Sequence, residues 1–188
     1  MGQALSVYLM PEAVVRGLPG SGDQALLKTV LKVQKRALRQ FDEQFDEGEA
    51  PPLTMAEAVA GLFSGELDPD YPFYGIAFEF VCASLGQELD NRGFVPCSVD
   101  LYPNLDRILS DQGVPLRMTD LTQRPPIELP DWDDLLCGHW SAKEIRRGEP
   151  ALAAALAVKK SHPSLDVIHG WLRRAVREPD KMLVGCHS

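Results

Sequence analysis

The chain has 188 residues, of which 45% are apolar and 24% charged, values that exclude a collagen-like, largely disordered or disulfide-scaffold protein. Lys and Arg total 19 against 27 Asp and Glu, a formal net charge of −8. General nucleic-acid binding is excluded on the same ground, because neutralising phosphates takes a basic footprint. The length suits one globular domain over 1–188, with enough chain to bury a core without staples.

Alternation of Leu5, Val7 and Leu9 predicts a short strand over 3–10. Pro11 to Leu18 has room for one or two helical turns before Gly17-Leu18-Pro19-Gly20 breaks the chain. Ser21 followed by Gln24 fits a capping box. Leu26, Leu27, Val30, Val33, Ala37, Leu38, Phe41 and Phe45 then recur at helical spacing, predicting one long amphipathic helix that ends near Gly48. The glycines Gly17, Gly20 and Gly22 ahead of it lack the Lys-Ser/Thr of a phosphate loop, and Asp23 would repel phosphate.

Thr54 and Glu57 give a second capping box and a short helix to about Gly65. Residues 73–89 form the most apolar helix candidate, with Tyr71, Phe73 and Tyr74 as a hydrophobic plug at its entrance or an exposed recognition patch. A second strand is expected over 93–99 and a short helix from Pro103 to about Gly113. Pro115, Pro125, Pro126 and Pro130 mark 114–140 as a long irregular segment. Ser141 and Glu144 make a third capping box, and 151–158 is Ala-rich and helical. Pro163 opens a last helix that Pro179 stops, and Met182-Leu183-Val184 reads as a closing strand. The fold class is α+β, helix-rich, with short strands near both termini that are placed to pair.

Cys82, Cys97, Cys137 and Cys186 show no Cys-x-x-Cys spacing. With no secretory leader pattern and no apolar run long enough for a membrane span, four free thiols in a soluble cytoplasmic protein are expected. Metalloprotease, nucleophile-elbow and EF-hand patterns are absent, which favours a non-enzymatic reading, and no cofactor is called for.

Two segments carry the candidate sites. Between 40 and 91 there are twelve acids and no Lys or Arg, whereas 143–181 holds nine bases and five acids. Asp42, Glu43, Asp46, Glu47, Asp68 and Asp70 are therefore candidates for an acidic face that docks a basic protein. Pairing with Arg173, Arg174 and Arg177 is the internal alternative. The densest chemistry falls in 131–140, where Asp133 or Asp134 would orient His139 as a general base beside Trp140, in an enzyme or a small-molecule binder. In a further reading of that segment, Cys137 and His139 join Cys186 and His187 in a zinc set.

The opening Gln3-Ala4-Leu5-Ser6-Val7-Tyr8-Leu9, the Gly20-Ser21-Gly22-Asp23 turn, Tyr74-Gly75-Ile76-Ala77-Phe78-Glu79 and Trp171-Leu172-Arg173-Arg174-Ala175 resemble an uncharacterised bacterial domain-of-unknown-function family. That resemblance implies a stand-alone cytosolic protein and assigns no residue a role. An immunity-type or regulatory part follows by analogy with small, acidic, motif-poor chains.

Overall fold

A computed structural model describes residues 4–45, 51–130, 136–158 and 162–187. The alternating opening segment forms β1 (Leu5–Pro11), and the closing segment forms β4 (Lys181–His187). The two pair antiparallel from Leu5–His187 to Pro11–Lys181, in keeping with the expectation that the strands near the two termini are placed to pair. β3 (Leu136–Trp140) lies on the other side of β4, and β2 (Gln87–Glu88) borders β1, so the antiparallel order is β2–β1–β4–β3. The fold is thus α+β and helix-rich.

Both faces of this sheet are covered. Leu5, Val7 and Leu9 point into one core, and Tyr8 and Met10 into another, none more than 5% exposed. Against the Tyr8 face pack α1 (Glu12–Arg16), α2 (Gln24–Val33), α3 (Lys35–Asp42), α4 (Met55–Ser64) and α5 (Tyr74–Leu85). Against the Leu5 face pack a 3-10 turn (Arg92–Phe94), α6 (Leu101–Asp111), α7 (Asp120–Gln123), α8 (Ala142–Val158) and α9 (Pro163–Ala175). An antiparallel sheet usually leaves one face to water. Here the helical layers bury β1 and β4 on both sides, while the two-residue edge strand β2 is exposed.

Several expectations change. The long helix expected to end near Gly48 is, among the described residues, two helices bent at Gln34 (φ −92°, ψ 4°), and Gly48 itself lies outside those residues. Val30 and Leu38, about 80° apart around an unbroken helix, are both buried in the same core. The N-cap of α2 is Asp23 rather than Ser21. The Asp23 carboxylate accepts the Ala25 and Leu26 N–H groups, each at 3.0 Å, which uses the donors an anion would need. Gly22 at φ +62° turns the chain so that Ser21 reaches only the Asp23 N–H. The strand expected over 93–99 is replaced by the 3-10 turn, whose Phe94 stacks on Trp171 with centroids 5.0 Å apart. The segment 114–140 is less irregular than its prolines suggest, since it contains α7 and β3. α8 runs through Pro150, joining the third capping box and the Ala-rich stretch in one helix.

Gly138 of β3 and Gly185 of β4 are cross-strand partners. A methyl group at Gly138 would overlap the Asp120 carbonyl oxygen, and one at Gly185 would sit 2.5 Å from the Leu121 oxygen. The paired glycines let the α7 backbone rest directly on the sheet. Among the described residues no helix is long and apolar enough to cross a membrane.

Candidate functional site

The acidic candidates do not form one uniform group. Asp42, at the end of α3, turns inward and accepts the Met55 N–H at 2.8 Å, fastening α3 to the start of α4. Glu43 is exposed and bridges Arg39 at 2.6 Å. Asp68 and Asp70 follow the far end of α4, about 15 Å along its axis. There the Asp68 carboxylate accepts the Asp70 N–H at 2.9 Å, while the Asp68 N–H donates to Tyr74 Oη at 2.8 Å. Asp46 and Glu47 lie outside the described residues. Pairing with the last helix is not how Arg174 is used, for it bridges Glu178 at 2.7 Å and donates to Gln87 Oε1. Tyr71 and Tyr74 are buried and Phe73 packs on Phe41, so this aromatic group is a plug, not a recognition patch.

His139 and Trp140 sit on β3. Trp140 is fully buried, and its indole N–H donates to the Arg117 carbonyl at 2.8 Å. His139 is 8% exposed and places Nδ1 2.8 Å from the Arg124 carbonyl oxygen. A carbonyl only accepts, so Nδ1 carries the proton and Nε2 offers its lone pair to Arg16 Nη2 at 3.5 Å. Burial, and after it the charges of Arg124 and Arg16, push the His139 pKa below its ordinary value, although the Arg124 carbonyl pulls the other way. The ring is thus held neutral in one tautomer.

Around it, Arg124 forks onto Glu144 at 2.7 and 2.8 Å and donates to the His139 carbonyl at 2.6 Å. Ser141 gives Glu144 both its N–H and its hydroxyl proton, completing the expected capping box. Burial would raise the Glu144 pKa, but these donors hold it down at about 2. Glu12 extends the network, bridging Arg16 and accepting the Ala142 N–H. The network ties α1, β3 and α8 together. Asp133 and Asp134 lie outside the described residues.

The zinc set is divided by the sheet. Cys137 and Cys186 face the Tyr8 core, whereas His187 is on the other face, edge-on to Tyr102 at 5.4 Å. Among the described residues no group of three or more His, Cys, Asp and Glu side chains is placed to hold a metal ion.

A different cluster emerges from the register. Ser6 on β1 pairs with Cys186 on β4, which pairs with Cys137 on β3, so three neighbouring strands set a serine and two thiols in one row. Both thiols are buried, with Sγ atoms 3.9 Å apart. Cys82 and Glu79, one helical turn apart on α5, cover the row, and Tyr8 Oη donates to Glu79 Oε1 at 3.4 Å. Burial, and after it the neighbouring Cys186, raise the Glu79 pKa to about 8. Hydrogen bonds from Cys137 and Cys82 lower the Cys186 pKa, whereas burial raises that of Cys82 and the bond to Cys186 raises that of Cys137. Sequence reasoning treats Cys82 as a core residue, and it is fully buried. It misses the row, because only the pairing register of the two terminal strands brings Ser6 opposite Cys186.

The fold, two helical layers on an antiparallel sheet, is of the α+β class. A family model covers residues 1–188 in full. The chain is a member of the domain-of-unknown-function family DUF7691. No curated protein and no solved structure matches it.

Proposed function

We propose that this chain is a non-enzymatic protein-interaction domain of the cytoplasm, with an immunity-type or regulatory role, and that its acidic loop at 66–70 docks a basic protein. The observation that carries this reading is the state of the loop's carboxylates. Among the described residues, no Lys or Arg forms an ion pair with Glu66, Asp68 or Asp70, and Glu66 and Asp70 are exposed. The acids at the opposite end of α4 are otherwise engaged, Asp42 with the Met55 N–H, Glu57 in its capping box and Glu43 with Arg39. Unpaired carboxylates of one sign attract a basic surface and disfavour an acidic one. The locked, neutral His139 supports the non-enzymatic side of the reading, because a general base needs a ring nitrogen free to take a proton.

The test uses the Glu66→Lys/Asp70→Lys double variant, which leaves the Asp68 turn and every ion pair named above intact. Wild type and variant are used as bait in extracts of the source cells at low and moderate salt. A basic protein held by wild type, released by salt and lost by the variant is the expected result. Equal capture by both baits, or capture of no protein specifically, overturns the proposal.

A further inference from the structure

We propose that Cys137 and Cys186 form a reversible cross-strand disulfide on reaction with a peroxide-class oxidant. The backbone supplies the first argument. In an antiparallel pair, a residue either turns its N–H and C=O toward the partner strand or turns both away. The His139 carbonyl accepts from Arg124, a group outside the sheet, so His139 turns away from β4. By the two-residue period of a strand, Cys137 does too. From the other side, the Val7 carbonyl accepts the Leu89 N–H and the Leu5 carbonyl accepts Asn91 Nδ2. Leu5 and Val7 thus face away from β4, and Ser6 and its partner Cys186 face each other. Both observations make Cys137–Cys186 a non-hydrogen-bonded pair. Its Cα atoms are then about 4.5 Å apart, inside the span a disulfide bridges.

The side chains supply the second argument. The two Sγ atoms are already 3.9 Å apart on the same face, so rotation about the Cα–Cβ bonds closes the gap without moving a strand. The contacts with Cys137 and Cys82 lower the Cys186 pKa and so favour its thiolate, the form that reacts. Cys97 is set apart, packed into the opposite core beside Tyr102 Oη at 3.4 Å.

The chemistry balances with hydrogen peroxide as oxidant. The Cys186 thiolate attacks one peroxide oxygen, the O–O bond breaks, and hydroxide leaves, giving a sulfenic acid at Cys186. The Cys137 thiolate then attacks that sulfur, the S–O bond breaks, and a second hydroxide leaves. The two thiol protons convert both hydroxides to water. One S–S bond has formed, two thiols are oxidised, and one peroxide is reduced. The product clamps the edge strand β3 to β4 and closes a loop between residues 49 apart in sequence. Such a loop restricts the unfolded chain and raises stability.

The experiment treats the native, fully reduced protein with hydrogen peroxide, alkylates the remaining thiols and maps disulfide-linked peptides. The expected product is a monomer that has lost two hydrogens. Cys137 and Cys186 are linked, Cys82 and Cys97 are alkylated after unfolding, and the thermal midpoint rises by several degrees and returns with dithiothreitol. The Cys137→Ser variant should instead accumulate a sulfenic acid at Cys186 that a 1,3-dione reagent traps. The wild-type peptide map decides the matter whether or not that variant folds. Free Cys137 and Cys186 after treatment, a dominant link through Cys97, or the same mixture of links as the urea-unfolded chain gives would each overturn the proposal.

Discussion

At Gly138 the sheet has no room for a side chain, because the Asp120 carbonyl of α7 occupies the place where a methyl would stand. The obstacle is backbone, so no rotamer change relieves it. Gly138→Ala must push α7 off β3, or β3 off β4, and overpacking of this kind costs about 3 kcal/mol. Gly170 provides the control, since a methyl there meets open space. Gly170→Ala on α9 should stabilise by roughly 0.5–1 kcal/mol through helix propensity. Urea unfolding of both variants checks the pair, and equal midpoints would refute the close packing of α7 on the sheet. The phenylalanines and leucines of the cores are visible in the sequence as apolar residues. The need for glycine at 138 is not, because it arises from an element almost twenty residues away.

At the scale of elements, the start of α4 shows how local signals and tertiary contacts combine. The Thr54 hydroxyl accepts the Glu57 N–H at 3.3 Å, and Glu57 accepts the Thr54 N–H at 2.8 Å. Met55 N–H, a donor with no partner inside its own helix, is taken by Asp42 from α3. Asp42→Ala should therefore cost about 1–2 kcal/mol. Glu43→Ala, its exposed neighbour, loses only a surface bridge and should cost less than about 1 kcal/mol. Thermal or urea unfolding would show the contrast, and equal losses would remove the cap assigned to Asp42. Adjacent acids in a charge run thus do different work.

The legibility of the sequence divides along the same line. Thr54–Glu57 and Ser141–Glu144 are capping boxes because their three-residue spacing is local, and both form. The first strand follows from its alternation and the last from the apolar run Met182-Leu183-Val184. β3 is hidden, because Leu136-Cys137-Gly138-His139-Trp140 has an apolar residue on one face, a histidine on the other and a glycine demanded by α7. The break at Gln34 is equally hidden, for the apolar period runs through it. Of the candidate site residues, composition locates the acidic run but not which carboxylates are spent on caps. Ser6, Cys137 and Cys186 come together only once register is known.

For the molecule as a whole, the network joining α1, β3 and α8 sets how stability responds to acid. The His139 pKa is lowered in the folded protein, chiefly by burial and by the charges of Arg124 and Arg16. As pH falls below the ordinary histidine value of 6.5, the unfolded chain binds a proton there that the folded protein resists, so stability declines. Glu144 acts lower on the scale. Its contribution is complete above the ordinary value of 4.5 and is lost as pH falls toward about 2, where Arg124 and Ser141 no longer face a carboxylate. The two groups act in the same direction, His139 in an upper stage and Glu144 in a lower one, against an opposing rise from Glu79, whose pKa of about 8 favours the folded protein as pH falls from there toward 4.5. His139→Gln should flatten the upper stage and Glu144→Gln the lower, each at some cost in stability at neutral pH. Urea midpoints measured from pH 7 to pH 3 for the three proteins test this. The upper stage surviving unchanged in His139→Gln would show that the decline belongs to other groups. Because Arg124 touches both His139 and Glu144, the double variant should depart from the sum of the singles, marking the network as one unit that fastens the first helical layer to the second across the edge of the sheet.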